Sequence, residues 1–182
     1  MTPVLTTERL RIRPARVEDA EALHPGYADA DAMRYWSHAP HTELEQTRDK
    51  LARSVASPDW RLWAVTLAGD DTAIGTLAAG EKRQGGVWEV GYSLLRAHWG
   101  RGLAREALAA LLDRLLRVEE QRRVFADIDP DNAASRRLVE ALGFTPEGVL
   151  RAEWRTHIGV RDACIYGVLR DEWISSSAST RT

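Results

Sequence analysis

A tight turn between a predicted strand and a predicted helix constrains this chain more than any other stretch. Residues 88–95 favour a strand, and residues 97–104, hereafter the glycine turn, follow with Gly100 and Gly102 one residue apart. Two glycines let the backbone turn sharply and leave several N–H groups free at a helix N-terminus, where anions bind well. Beyond the turn, apolar residues recur at the spacing of one helix face: Leu103, Ala107, Leu108, Leu111, Leu112 and Leu115.

Two arginines in the first turns of that helix also bear on whether the glycine turn binds an anion. Arg101 and Arg105 lie one helical turn apart, at an end where the helix dipole disfavours cations. A bound polyanion would remove this conflict. The alternative is an ordinary tight turn with two exposed arginines, and the glycines alone leave the two interpretations even.

Length and charge bound the class of protein. The chain has 182 residues, which predicts a single domain over residues 1–173 with a sizeable core, followed by a polar, disordered tail at residues 174–182. The net charge of −2 gives no global field that favours nucleic acid or an anionic membrane. The chain shows no signal peptide and no apolar run long enough for a bilayer, so we expect a cytoplasmic protein.

Cysteine and histidine usage argues against metal chemistry. The single cysteine, Cys164, excludes an intrachain disulfide and a multi-cysteine zinc site. Four of the histidines, His24, His38, His41 and His157, lack the clustering of metal ligands, so we expect no metal.

The order of predicted elements indicates a mixed α/β sheet flanked by helices. A strand, a helix and a second strand around the glycine turn predict a parallel pair joined by a right-handed crossover. Residues 28–36 favour an irregular helix, and Thr42 is a plausible N-cap for the next helix, with Glu45 three residues on. Periodicity predicts about seven strands, over residues 4–14, 61–67, 72–79, 87–95, 123–129, 144–153 and 163–169.

Several motifs in this order resemble one enzyme superfamily. Residues 99–104, Trp-Gly-Arg-Gly-Leu-Ala, resemble the acetyl-CoA pyrophosphate loop of the GNAT acyltransferases, whose pattern is Gln/Arg-x-x-Gly-x-Gly/Ala. Ala97 departs from that pattern, which matters little if the main chain contacts the phosphates. Further motifs resemble the branch of the ribosomal-protein N-terminal acetyltransferases RimJ and RimL: residues 7–14 and 89–92, Glu106-Ala107, Asn132-x-x-Ser135 and Gly143-Phe144.

The resemblance implies a GNAT-like sheet whose two central parallel strands splay apart around acetyl-CoA, the acyl-donor co-substrate. It implies that residues 98–104 cradle the pyrophosphate through main-chain N–H groups, that the preceding strand supports the pantetheine arm, and that an N–H near Leu94 stabilises the oxyanion. Arg101, Arg105 or Arg136 would meet the 3′-phosphate, and the sequence does not choose among them. The implied cofactor-binding residues are Tyr92, Ser93, Leu94, His98, Trp99, Gly100, Arg101, Gly102, Leu103, Ala104, Asn132 and Ser135.

The implied reaction is direct transfer of the acetyl group to a primary amine. Such an amine arrives mostly protonated, with a pKa of roughly 8 for an α-amino group or about 10 for a lysine, so a general base is needed. Glu89 is the first candidate because strand alternation places it on the face of Gly91 and Ser93. Glu153 is the second, and a surface carboxylate is the alternative for each.

Proton donation to the leaving thiolate and choice of acceptor involve other residues. Ser135 occupies the position where many relatives of this branch carry a hydroxyl close to the sulfur. Tyr166 is another donor candidate, although a buried strand tyrosine is usually part of the core. Trp36 and His38 precede a helix in the region that usually shapes the acceptor pocket, so we expect them to affect specificity.

Two other function classes compete with an N-acetyltransferase. A non-catalytic acyl-CoA sensor would keep the glycine turn and lack a working base. A dinucleotide-binding oxidoreductase fits poorly, because Arg105 stands where G-x-G-x-x-G/A needs a small residue. The acceptor amine, a protein N-terminus or a small molecule, stays open. Dimers are common among similar proteins, and this is the only reason to expect a homodimer here.

Overall fold

The glycine turn lies at the end of a central strand in an eight-stranded mixed sheet. The computed structural model describes residues 2–83 and 85–179. The sheet order is β1-β2-β3-β4-β5-β6-β8-β7. The strands are β1 (Leu5–Thr6), β2 (Leu10–Pro14), β3 (Trp60–Leu67), β4 (Ala73–Arg83), β5 (Val87–Leu94), β6 (Arg123–Ile128), β7 (Thr145–Thr156) and β8 (Gly159–Leu169). The helices are α1 (Ala20–Tyr27), α2 (Leu44–Val55), α3 (Leu103–Leu112), α4 (Ala133–Glu140) and α5 (Arg170–Ser179).

The eighth strand arises because the first predicted strand divides in two. The amide of Thr7 donates to the Leu10 carbonyl at 2.9 Å, and the amide of Leu10 donates to Thr7 Oγ1 at 3.0 Å. This turn folds β1 back against β2 as an antiparallel pair. The predicted class, a mixed α/β sheet flanked by helices, is confirmed, and the predicted count of about seven strands is one too few.

The predicted parallel pair is β5 and β6. They are in register from Val87, opposite Arg123, to Glu89, opposite Phe125. Beyond Glu89 the pairing ends, although β5 continues to Leu94 and β6 to Ile128. Because the two strands separate there, a ligand can reach backbone groups that an ordinary sheet would pair. The splayed parallel pair is therefore confirmed.

Helices cover both faces of the sheet. On the α3 face, helices α3 and α4 pack on the main core, to which β5 contributes Trp88, Val90, Tyr92 and Leu94. On the α1 face, Leu23 of α1 and Leu51 of α2 pack over Ala64 and Ala73. Since side chains alternate along a strand, Glu89, Gly91 and Ser93 belong to the α1 face.

Residues 28–36 form turns instead of the predicted helix. The Asp29 carboxylate accepts hydrogen bonds from the amides of Asp31 at 2.9 Å and Ala32 at 3.1 Å. A short acidic side chain that bonds nearby amides competes with helical pairing, which explains the error. The N-cap of α2 is Glu43 and not Thr42, because Gln46 Oε1 accepts from both amides.

The last helix extends into the predicted tail. The backbone of α5 is helical through Ser179, and residues 180–182 lie outside the described residues. Trp173 anchors this helix, because its side chain is buried and its Nε1 donates to Asp113 Oδ1 at 2.8 Å. No helix in the described part of the chain is both long and apolar enough to cross a membrane.

Candidate active site

A cleft of about 540 Å³ opens where β5 and β6 have separated. The glycine turn, the end of β5, the start of α4 and the chain around residues 26–36 form its walls. Arg101 is not among the lining residues. The other predicted cofactor residues all line the cleft: Tyr92, Ser93, Leu94, His98, Trp99, Gly100, Gly102, Leu103, Ala104, Asn132 and Ser135.

The glycine turn has the backbone that its sequence predicts. Gly100 has φ +70° and Gly102 has φ +74°, in the left-handed region that L side chains rarely adopt. Gly102 is the N-cap of α3, and its carbonyl accepts the first helical bond, from the Glu106 amide at 3.1 Å. Helical geometry leaves the preceding first-turn amides without an acceptor inside the helix. This end of the cleft therefore suits a phosphate group.

Thr7 and Arg9, from the N-terminal motif at residues 7–14, hold the glycine turn in place through hydrogen bonds. Glu106 accepts hydrogen bonds from Thr7 Oγ1 at 2.5 Å and from the Arg9 amide and Nε at 3.0 and 2.6 Å. Arg9 Nη1 donates to the carbonyl of Arg101 at 3.0 Å. Partial burial opposes ionisation of Glu106, but these hydrogen bonds outweigh it and keep its pKa below the usual value. The motif residues therefore fix the turn, and they do not line the cleft.

The three arginines predicted as alternatives have different surroundings. Arg105 lines the cleft and donates from Nη2 to the Ala141 carbonyl at 3.1 Å. Arg101 is exposed, with Nη1 3.4 Å from His98 Nδ1. Arg136 donates to the Tyr166 hydroxyl at 3.0 Å and to a backbone carbonyl, away from the cleft. Of the three, Arg105 has the geometry for an anion in the cleft.

Two hydroxyl groups meet inside the cleft. Asn132 caps α4, accepting on Oδ1 from the amide of Ser135 at 3.1 Å. Ser135 Oγ lies 2.5 Å from the hydroxyl of Tyr92. Burial raises the pKa of Tyr92 to about 12, against the hydrogen bond with Ser135, which lowers it. Tyr92 is therefore protonated near neutral pH, and its side chain has a position that the sequence did not indicate.

Tyr166, the other predicted proton donor, is engaged elsewhere. Its hydroxyl donates to Glu140 Oε1 at 2.8 Å and accepts from Arg136. Its ring is buried in the main core, and it is not among the residues that line the cleft.

Glu89 lies where the two parallel strands separate and outside the lining of the cleft. Its carboxylate is 3.4 Å from Lys82 Nζ. Burial raises the pKa of Glu89, Lys82 opposes that shift, and the nearby charge of Asp127 adds to it. A carboxylate with a raised pKa beside the strand edge has the properties of a general base.

Glu153 is an exposed residue of β7, within the irregular pairing between Leu150 and Trp154. The charge of Glu153 acts on Asp127. The pKa of Asp127 is raised mainly by burial and also by the charge of Glu153, and a hydrogen bond from Trp154 opposes that rise. Trp154 Nε1 donates to Asp127 Oδ2 at 2.7 Å. Asp127 shares the α1 face with Glu89, and its charge interacts with both predicted bases. Sequence reasoning missed it, although strand alternation in β6 places it there.

The segment of residues 28–41, hereafter the strap, closes one side of the cleft. Arg96, just before the glycine turn, donates to Asp29 at 2.7 Å and to Asp31 at 2.9 Å. Of the two residues predicted to affect specificity, Trp36 lines the cleft, whereas His38 does not. No spacing in the sequence signals the Arg96 pairing, because its partners lie 67 and 65 residues away.

His38, near the C-terminal end of the strap, belongs to a stack of aromatic rings. Its ring lies 5.0 Å from that of His41, which stacks on Tyr27 at 5.1 Å. The buried hydroxyl of Thr47 is within hydrogen-bond distance of Nδ1 of both His24 and His41. Across residues 2–83 and 85–179, no group of three or more His, Cys, Asp or Glu side chains is arranged to hold a metal ion.

Comparison with known proteins agrees with this geometry. Residues 9–145 match the family model described as an acetyltransferase (GNAT) domain. An uncharacterised N-acetyltransferase of Bacillus licheniformis, p20, is 30% identical over 174 residues, covering 93% of this chain and 97% of that protein.

Two solved structures have the same fold and contain coenzyme A. Spermidine N-acetyltransferase from Vibrio cholerae, in complex with CoA and spermine, matches with a TM-score of 0.79 and 20% identity over 92% of this chain and 99% of its own. RimL, the ribosomal L7/L12 alpha-N-protein acetyltransferase, in complex with coenzyme A, matches with a TM-score of 0.80 and 20% identity, covering 93% and 99% of the two chains.

Proposed function

Because this chain belongs to the GNAT acetyltransferase family, we propose that it moves the acetyl group of acetyl-CoA to a primary amine by direct attack. The observation that carries the proposal is one cleft that joins an anion-binding helix N-terminus to the hydroxyl of Ser135. That arrangement supports a long donor with phosphates at one end and a thioester near the other.

The donor would be held mainly by backbone groups. First-turn amides of α3 are preorganised for the pyrophosphate, and Arg105 at the rim suits the 3′-phosphate. The separated edge of β5 offers backbone groups to the pantetheine arm, although the Leu94 carbonyl already accepts from Trp99 Nε1 at 2.7 Å. When bound, acetyl-CoA supplies the activated acetyl group, and the chain supplies orientation and proton transfer.

Residues on the two faces of the sheet act on different parts of the reaction, the attacking amine and the leaving sulfur. On the α1 face, Glu89 takes the proton that the amine must lose, and its raised pKa brings its basicity nearer to the operating pH. On the α3 face, the Ser135 hydroxyl donates a hydrogen bond to the sulfur as it leaves. Asp127 favours an approaching ammonium group by its charge. Glu153, more exposed and farther along the sheet, is the weaker candidate for the base.

Motif and charge indicate which acceptor amines to test first. The Thr7, Arg9 and Glu106 network supports a place in the RimJ/RimL branch, and an N-terminal α-amino group is then the first acceptor to test. Carboxylates at Glu89 and Asp127 favour any cationic amine, so a polyamine is the second.

Turnover with a panel of amines tests the proposal. We expect purified protein to release CoA from acetyl-CoA with at least one acceptor among N-terminal peptides, polyamines, amino acids and amine antibiotics, with mass spectrometry identifying the acetylated product. Ser135→Ala should lower turnover and preserve acetyl-CoA binding measured by calorimetry. Binding without turnover across the panel would contradict the proposal and favour an acyl-CoA sensor, and NAD binding without CoA binding would overturn both.

A further inference from the structure

The contact between the side chains of Tyr92 and Ser135 bears on what Tyr92 does in the reaction. The two residues come from different elements, β5 and α4, and lie 43 positions apart in sequence. Their hydroxyl oxygens are 2.5 Å apart inside the cleft. The Tyr92 hydroxyl is also 3.4 Å from the Ser135 carbonyl, a much longer and weaker contact. The principal partner of the tyrosine hydroxyl is therefore the serine hydroxyl.

Chemistry decides which hydroxyl donates. A phenol is more acidic than an aliphatic alcohol, so Tyr92 is the better donor and Ser135 Oγ the better acceptor. Burial disfavours the phenolate, so the donor proton is retained at neutral pH. With Oγ accepting from Tyr92, the serine proton is free to point elsewhere in the cleft.

We propose that Tyr92 is a positioning residue that fixes and polarises the Ser135 hydroxyl toward the leaving sulfur. This inference rests on the proposed function. As the C–N bond forms and the C–S bond breaks, the electron pair of the C–S bond goes to sulfur, and the Ser135 hydroxyl donates a hydrogen bond to the developing thiolate. Tyr92 and Ser135 both keep their protons, and the hydrogen bond from Tyr92 makes the Ser135 hydroxyl a stronger donor. The thiolate then takes a proton from solvent, and the proton lost by the amine goes to Glu89.

The alternative role for Tyr92 is packing alone. Its ring is part of the main core, so removal of the hydroxyl is the informative change and removal of the ring is not. Tyr92→Phe keeps the ring. Tyr166→Phe is the matched control, since it also removes one tyrosine hydroxyl with a side-chain partner but outside the cleft.

A double-mutant cycle on turnover separates the two roles. We expect Tyr92→Phe to lower kcat about three- to tenfold, with the dissociation constant of acetyl-CoA within about twofold of wild type. In the Ser135→Ala background, Tyr92→Phe should have no further effect, because its partner is absent. Equal losses in both backgrounds would contradict the proposal. Tyr166→Phe should leave kcat unchanged.

A binding measurement supplies a readout that does not depend on turnover. A hydrogen bond to a thiolate lowers the pKa of the thiol, and the ultraviolet absorbance of the thiolate reports that pKa for bound CoA. We expect the thiol pKa of bound CoA to be lowest in wild type, higher in Tyr92→Phe, and no higher in the double variant than in Ser135→Ala. The same thiol pKa in wild type and Tyr92→Phe would overturn the inference. If wild type acetylates no amine, the proposed function fails, whereas active wild type with unaffected Tyr92→Phe overturns only this inference.

Discussion

The wall of the cleft formed by the glycine turn differs from the face that carries Glu89 in how each is built. The turn uses backbone amides and two left-handed glycines within a few residues of one another. The Glu89 face uses side chains from β4, β5 and β6, which meet only in the folded chain. A ligand site made of local backbone tolerates change in its surroundings, whereas a site of converging side chains depends on every element that delivers one.

The largest effect is expected from the base. Glu89→Gln should lower kcat/KM about 100-fold or more, since general-base catalysis typically contributes at least that factor. Acetyl-CoA affinity should stay within about twofold, because Glu89 lies outside the cleft lining. Steady-state kinetics and calorimetry measure the two quantities. A larger loss in Glu153→Gln than in Glu89→Gln would assign the base to the other carboxylate.

The second-largest effect is expected from a substitution in the glycine turn. Gly102→Ala should weaken acetyl-CoA binding about five- to thirtyfold, since a non-glycine residue in the left-handed region costs roughly 1–2 kcal/mol. Gly69→Ala is a matched control, because Gly69 also has positive φ, has open space where a Cβ would project and does not line the cleft. Both variants should lose stability, and only Gly102→Ala should lose affinity in calorimetry. If Gly102→Ala and Gly69→Ala bind acetyl-CoA with equal affinity, the glycine turn does not hold the donor.

A smaller effect is expected from the strap. Arg96→Met removes the ion pairs with Asp29 and Asp31, and exposed pairs contribute little to stability because solvent screens them. The dissociation constant of acetyl-CoA should rise about two- to fivefold through loss of one wall. Arg48→Met, which breaks exposed pairs on the outside of α2, is the control. An unchanged constant in Arg96→Met would show that the strap does not act on donor binding.

The smallest effect is a shift in the pH profile. Glu89 acts as base only when ionised, so activity should fall as pH drops through its raised pKa. Lys82 lowers that pKa, so Lys82→Met should move the acid limb of kcat/KM to higher pH, by less than about one unit. In the Glu89→Gln background the same substitution should produce no shift. Movement toward lower pH, or a shift that persists without Glu89, would exclude Glu89 as the titrating group.

Local patterns in the sequence predicted most of the cleft wall that the glycine turn forms. Glycine spacing and the apolar stripe after it predicted the turn, α3 and the parallel partner β6. Asn132 and Ser135 were assigned to the cofactor side by resemblance, and both line the cleft. These features depend on residues within about one turn or one strand of each other, where periodicity and turn chemistry carry information.

Features that depend on particular side-chain partners escaped prediction. The Asp29 side chain replaces a helix with turns, and Thr7 with Leu10 splits the first strand. Arg96 finds its acidic partners across the cleft. In each case one polar side chain selects a partner that apolar periodicity does not describe.

The sequence by itself determined the family, the sheet class and the backbone of the glycine turn, because left-handed glycines and helical periodicity act over short stretches of chain. Only the tertiary structure decided that Tyr92 meets Ser135, that Asp127 stands beside Glu89, and that Arg136 faces away from the cleft. Side chains from separate elements obtain their partners, burial and pKa from packing, and packing is a property of the whole sheet.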